Sequence, residues 1–111
     1  MGTTAKTRSK KRSVARSMAL ATHSILIDDD RVVVNRFDFG PGDETGHHVH
    51  SMPYVIVPVT DGRLRIEDDE AGEVFADLSA GVPYSRPKGV SHNVFNATEH
   101  AIAFLEIEIK P

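Results

Sequence analysis

Residues 42–62 read GDETGHHVHSMPYVIVPVTDG, and the reading of the chain turns on His48-Val49-His50 inside them. Side chains alternate along an extended strand, so His48 and His50 point to one side and their ring nitrogens can converge on a single cation. An HxH pair alone is common on polar strand faces. Here five residues separate Gly42 from His48, eleven separate His50 from Gly62, and a third imidazole follows downstream. Residues 81–96, GVPYSRPKGVSHNVFN, set Gly81, Pro87, Gly89, His92 and Asn96 at fixed offsets.

Together the two stretches resemble the paired motifs of the cupin family. The first motif runs G-x5-HxH, then x3 or x4, Glu, x6 and Gly; the second runs G-x5-P-x-G-x2-H-x3-N. Gly42, His48, His50 and Gly62 fit the first, and Gly81, Pro87, Gly89, His92 and Asn96 fit the second without a gap. The Glu is the exception: Val55 stands at its position, with Tyr54 beside it. The resemblance spans roughly residues 31–109. It implies an all-β double-stranded β-helix, or jelly-roll barrel, in one domain with the site in its mouth.

Composition narrows the function. A chain of 111 residues holds one domain. There is no cysteine, hence no disulfide, thiolate metal site or cysteine nucleophile. No apolar run approaches membrane-spanning length. Of 13 Lys and Arg residues, six fall in the first 16 positions, and no acid precedes Asp28. The formal charge of −3 therefore hides a basic segment on an acidic body, which makes nucleic acid a poor partner. Residues 1–22 are expected to be a basic disordered tail, with Met18 as an alternative start and an organelle transit peptide as a second reading. The cupin domain is expected over 23–111, in the cytoplasm.

From Arg31 the pattern is of short strands. They are expected over 31–39, 54–59, 63–67, 73–78, 82–86, 91–95 and 101–109, with turns between. Pro58 cannot donate to a ladder and predicts an edge, a strand end or a bulge. Asp61-Gly62 predicts a tight hairpin between its flanking strands, and residues 68–72 a second one. In the last strand Leu105, Ile107 and Ile109 share one face, leaving Glu106 and Glu108 to solvent or a partner. An inward Glu106 would supply a general base not otherwise found.

The resemblance implies that His48, His50 and His92 hold a divalent metal. Iron(II) is expected, with zinc, nickel or manganese as alternatives. Three neutral imidazoles without a carboxylate leave the ion its full charge and open positions, which favours a small anionic, bidentate substrate. Three-His cupins that cleave diketones or oxidise small thiols with Fe(II) and O2 are the nearest functional resemblance. The expected function is thus an Fe(II)-dependent dioxygenase acting on an enolate, 2-oxo acid or thiol. A metal-dependent isomerase or lyase, or a ligand-binding cupin, are the alternatives. Arg86 suits a substrate carboxylate, on the same strand face as Tyr84. Tyr54 is expected as a wall of the site. His47 should point away from the metal, and His23 and His100 receive no role. Gly81, Gly89 and Asn96 are expected to be architectural. Metal affinity should weaken as pH falls through about 6.5. A homodimer covering exposed strand edges is expected.

Overall fold

The structure, a computed structural model, describes residues 19–111. The transit-peptide reading and the start at Met18 fall outside the described residues.

Nine strands are present among them: β1 (Thr22–Asp28), β2 (Val32–Phe39), β3 (His48–Val49), β4 (Tyr54–Pro58), β5 (Gly62–Asp68), β6 (Gly72–Leu78), β7 (Tyr84–Arg86), β8 (Ser91–Asn96) and β9 (Ile102–Ile109). They form a five-stranded sheet, β1-β2-β9-β4-β7, facing a four-stranded one, β3-β8-β5-β6. All strand pairings are antiparallel. No helix among the described residues is long and apolar enough to cross a membrane.

Period-two alternation builds the interior. Tyr54, Ile56 and Pro58 of β4 are buried while Val55 and Val57 are only half so. Leu64 and Ile66 of β5 and Val94 of β8 meet them from the other sheet, with Phe39, Leu78, Ile102 and Phe104 completing the core. Pro58 ends β4, consistent with its missing donor. Arg65 lies over the Phe95 ring at 3.9 Å, covering an aromatic on the outer face.

Three expectations are corrected. Asp61-Gly62 does not close a hairpin: β4 and β5 belong to different sheets, and the turn carries the chain between them. Asp61 Oδ1 instead accepts the Ala80 N–H, and Gly62 sits so close to Ile102 that an added Cβ would lie 2.8 Å from its Cγ2. Close approach, rather than turn conformation, requires that glycine. The hairpin over residues 68–72 does form, joining β5 to β6. Secondly, β1 lies before Arg31, where no strand was expected. It reaches β2 through a turn in which Asp29 Oδ1 accepts the N–H groups of Arg31 and Val32, so the run of aspartates is turn chemistry between two strands. Thirdly, β9 faces the other way. Ile102 and Phe104, each almost fully buried, anchor the inner face. Alternation then carries Glu106 inward as well, and it too is buried.

Candidate metal centre

His48 and His92 stand directly opposite one another in the β3–β8 ladder, which gathers imidazoles 44 residues apart in the chain. His50 lies just past β3 and is held by its backbone: its N–H donates to Val90 O at 2.8 Å, and its carbonyl accepts the Gly89 N–H at 2.7 Å. Gly89 adopts φ 94°, so the second motif's glycine seats the first motif's histidine.

Three Nε2 atoms converge. His50 Nε2 is 3.1 Å from His48 Nε2 and 3.2 Å from His92 Nε2. Ligands held at right angles about one ion by bonds of about 2.1 Å lie roughly 3 Å apart, so the spacing matches one face of an octahedron. The tautomer agrees. His48 Nδ1 is 2.8 Å from the Gly46 carbonyl, which can only accept, so Nδ1 carries the proton and Nε2 presents a lone pair.

Burial keeps the His50 and His92 rings neutral. It is the main force pulling His50 down to about 3, with His48 and His92 adding to it. Burial, then His48, pulls His92 down to about 4. His92 Nδ1 is buried without a partner.

The resemblance's Glu position also changes meaning. Tyr54, not Val55, faces inward on β4, and its ring stacks on His50 at 3.8 Å. Burial pushes the Tyr54 phenol up to about 12, and its hydroxyl, buried without a partner, stays protonated. Tyr54, Tyr84 and Arg86 line an inner cavity of about 30 Å³ together with the three imidazoles. That is room for a group the size of a few waters or fewer. Among the described residues the Arg86 guanidinium makes no ion pair. A wider recess of about 400 Å³ opens on the other side of His48 and His50, bordered by His23, Asn35, Glu106 and Glu108.

Glu106 and Glu108 therefore do not simply face solvent. Glu106 Oε2 is 4.0 Å from His50 Nε2, and Glu108 Oε2 is 4.0 Å from His50 Nδ1. Burial, reinforced by Glu108, raises the Glu106 carboxyl to about 7. Asn35 Nδ2 donates to Glu106 Oε1 at 3.3 Å, and Asn35 Oδ1 lies 2.7 Å from His23 Nε2. His23, which received no role, thus ends a chain leading to the centre. The signal lay in Ile102 and Phe104: counting by twos from them reaches Glu106. His47 points away as expected, pairing with Asp69 at 3.0 Å on the surface. Gly81 takes φ 77°, and Asn96 Nδ2 donates to the carbonyls of Gly40 and His100, closing the far end of the barrel.

No family model matches the chain. A protein of Pseudomonas aeruginosa, beta-alanine degradation protein BauB, is 47% identical over 90 residues, which cover 81% of this chain and 94% of that protein. A cupin domain from Bordetella pertussis superposes with a TM-score of 0.81 at 48% identity, covering 84% of this chain and 96% of its own. The chain is a cupin. An RmlC-like cupin from Methanocaldococcus jannaschii with a double-stranded β-helix fold has a TM-score of 0.68 at 12% identity, over 94% of this chain and 93% of that one; it shares the fold alone. In this cupin the histidines of both motifs meet at the mouth, where His48, His50 and His92 form a group able to hold a metal ion.

Proposed function

We propose that this cupin is a metal-dependent enzyme for a small anionic acid, with Fe(II) as the ion and dioxygenation as the reaction. The observation that carries the reading is the convergence of three imidazole Nε2 atoms beside a cavity lined by Arg86, which makes no ion pair among the described residues. When bound, the ion would supply Lewis acidity and, if it is iron, reactivity toward O2. The chain's own residues do the rest. Arg86 offers a planar fork to a carboxylate, and the inner cavity admits a group of about that size. Tyr54 keeps its proton and can donate it in a hydrogen bond to a substrate oxygen. The larger recess would take the remainder of the molecule.

The similarity to the beta-alanine degradation protein narrows the substrate class. β-Alanine carries a carboxylate and, two carbons away, an amine. Exchange of that amine for oxygen gives a 3-oxo acid whose enolate is anionic and bidentate, the type of ligand a cation with open positions prefers. A second reading, a non-oxidative isomerase or lyase using zinc, nickel or manganese, is favoured by Tyr54, since a protonated, unpartnered hydroxyl suits stabilisation of an enolate. Metal analysis of protein purified without chelator, followed by oxygen uptake on 3-oxo acids, 2-oxo acids, diketones and thiols, tests the proposal. Iron with substrate-dependent uptake is the expected result. Turnover without oxygen would replace it with the second reading. Tight binding of these acids without product would make the protein a ligand-binding cupin.

A homodimer is part of the same proposal. β1 lies at the edge of its sheet and exposes Ile25, Leu26 and Ile27, an apolar row that a second copy would cover. Light scattering of the parent and of Ile27→Lys should give a dimer and a monomer; a parent monomer would overturn this part.

A further inference from the structure

We propose that Glu106 is the carboxylate ligand of the metal centre, delivered from β9 instead of β4, and that Asn35 and His23 hold it in position. This deepens the metal reading above and rests on it.

The first ground is aim. Two carboxylates approach His50, but on different sides of the ring. Glu108 faces Nδ1, the nitrogen that points away from the convergence of imidazoles. Glu106 faces Nε2, the atom that already meets His48 and His92. Its Oε2 is 4.0 Å away, against the roughly 3 Å expected between neighbouring ligands of one ion, and it lies outside the group in which His48, His50 and His92 bring their nitrogens within 4.8 Å of one another, so the carboxylate has to swing inward to join the shell. Glu108 is placed instead to orient His50.

The second ground is charge. Glu106 is only 7% exposed, and no Lys or Arg pairs with it among the described residues. A buried carboxylate without a cation is strongly unfavourable. A divalent ion at the meeting point of the imidazoles would compensate it.

The third ground is support. Asn35 is buried and stands directly opposite Glu106 in the β2–β9 ladder. Its Nδ2 binds Oε1 and leaves Oε2 free. Its Oδ1 accepts from His23 Nε2–H, and the His23 ring stacks on Phe37 at 4.7 Å with the planes 5° apart. Ligand carboxylates are commonly fixed in this way through one oxygen while the other binds the ion. In the β4–β9 ladder Tyr54 pairs with Glu108 and Ile56 with Glu106, so Glu106 lies on the neighbouring strand two residues along from the position opposite Tyr54.

The test uses the full-length chain, stripped and reloaded with Co(II), whose visible absorption reports the coordination shell, together with affinity measured by chelator competition. Glu106→Gln should weaken Co(II) binding by about 100-fold or more and change the spectrum. Glu106→Asp should recover part of both. Asn35→Ala should weaken binding by about 10- to 100-fold, as is typical for residues that support a ligand. Circular dichroism checks that each variant is folded. Parent affinity and an unchanged spectrum in folded Glu106→Gln would overturn the proposal. The parallel variant His92→Ala separates the two levels. If it abolishes binding while Glu106→Gln does not, the three-imidazole site stands and the Glu106 ligand falls. If the parent itself binds no Co(II), both fall.

Discussion

At one end of the barrel Phe39, Leu78 and Ile102 pack with almost no exposure. At the other, a few residues along the same strands, the inward positions are His92, Glu106 and Tyr54. β9 passes from Ile102 to Glu106, β8 from Asn96 to His92, and β4 from Pro58 to Tyr54. One pattern of alternation thus makes a core at one end and a reactive site at the other. The difference lies in how polar atoms are satisfied. At the closed end Asn96 spends its whole amide on the chain, donating to Gly40 and His100 and accepting from Thr98 N–H and Oγ1–H. At the mouth Tyr54 Oη and His92 Nδ1 are unpartnered, three Nε2 atoms converge, and a carboxylate is buried. Groups unsatisfied within the chain are those available to a ligand.

The contrast is sharpest for His92→Ala. It should reduce metal content by about 100-fold or more, measured by elemental analysis, while the circular dichroism spectrum is unchanged, because one imidazole ligand is removed while the β8 backbone keeps its ladder. The mirror experiment is Asn96→Ala at the closed end. Loss of its four hydrogen bonds should cost roughly 2–4 kcal/mol in urea unfolding, with metal stoichiometry retained. If Asn96→Ala lost the metal without loss of stability, the division into two ends would be wrong.

A pH experiment follows for the metal-free protein. The Glu106 carboxyl is raised from 4.5 to about 7, so the folded state holds its proton more tightly than the unfolded chain does. The cost is absent below pH 4.5, builds as pH rises to 7 and is constant above. Glu106→Gln should therefore stabilise the metal-free chain at pH 8 by up to about 3 kcal/mol and leave it nearly unchanged at pH 4. Equal gains at both pH values would show that the carboxylate is not held in a dry site. The smallest effect is expected of His47→Ala. The His47–Asp69 pair is about half exposed, and its loss should change stability by less than about 0.5 kcal/mol and metal content not at all.

His47 and His48 also show what could be read in advance. They are adjacent, and period two alone assigns one to the surface and the other to the metal. The same rule applied from Leu105 and Ile107 put Glu106 on the wrong face, because β9 carries apolar residues at every position from Ile102 to Leu105 and its phase is ambiguous. The Asp61-Gly62 turn failed for a different reason. Turn chemistry specifies a reversal, but not whether the next strand joins the same sheet.

By itself, then, the sequence pointed, through its resemblance to the cupin motifs, to an all-β barrel of one domain with His48, His50 and His92 as its candidate centre, and it put no carboxylate at the motif's Glu position on β4. Local spacing alone set only His48 and His50 on one side of a strand; the meeting with His92 came from the resemblance. The tertiary structure alone decided that Tyr54 occupies the inner face where a Glu was looked for, that Glu106 enters from β9, and that His23 and Asn35 stand behind it. Inward and outward are defined only once a strand has neighbours, and the register that packs Ile102 and Phe104 into the core turns a carboxylate toward the imidazoles.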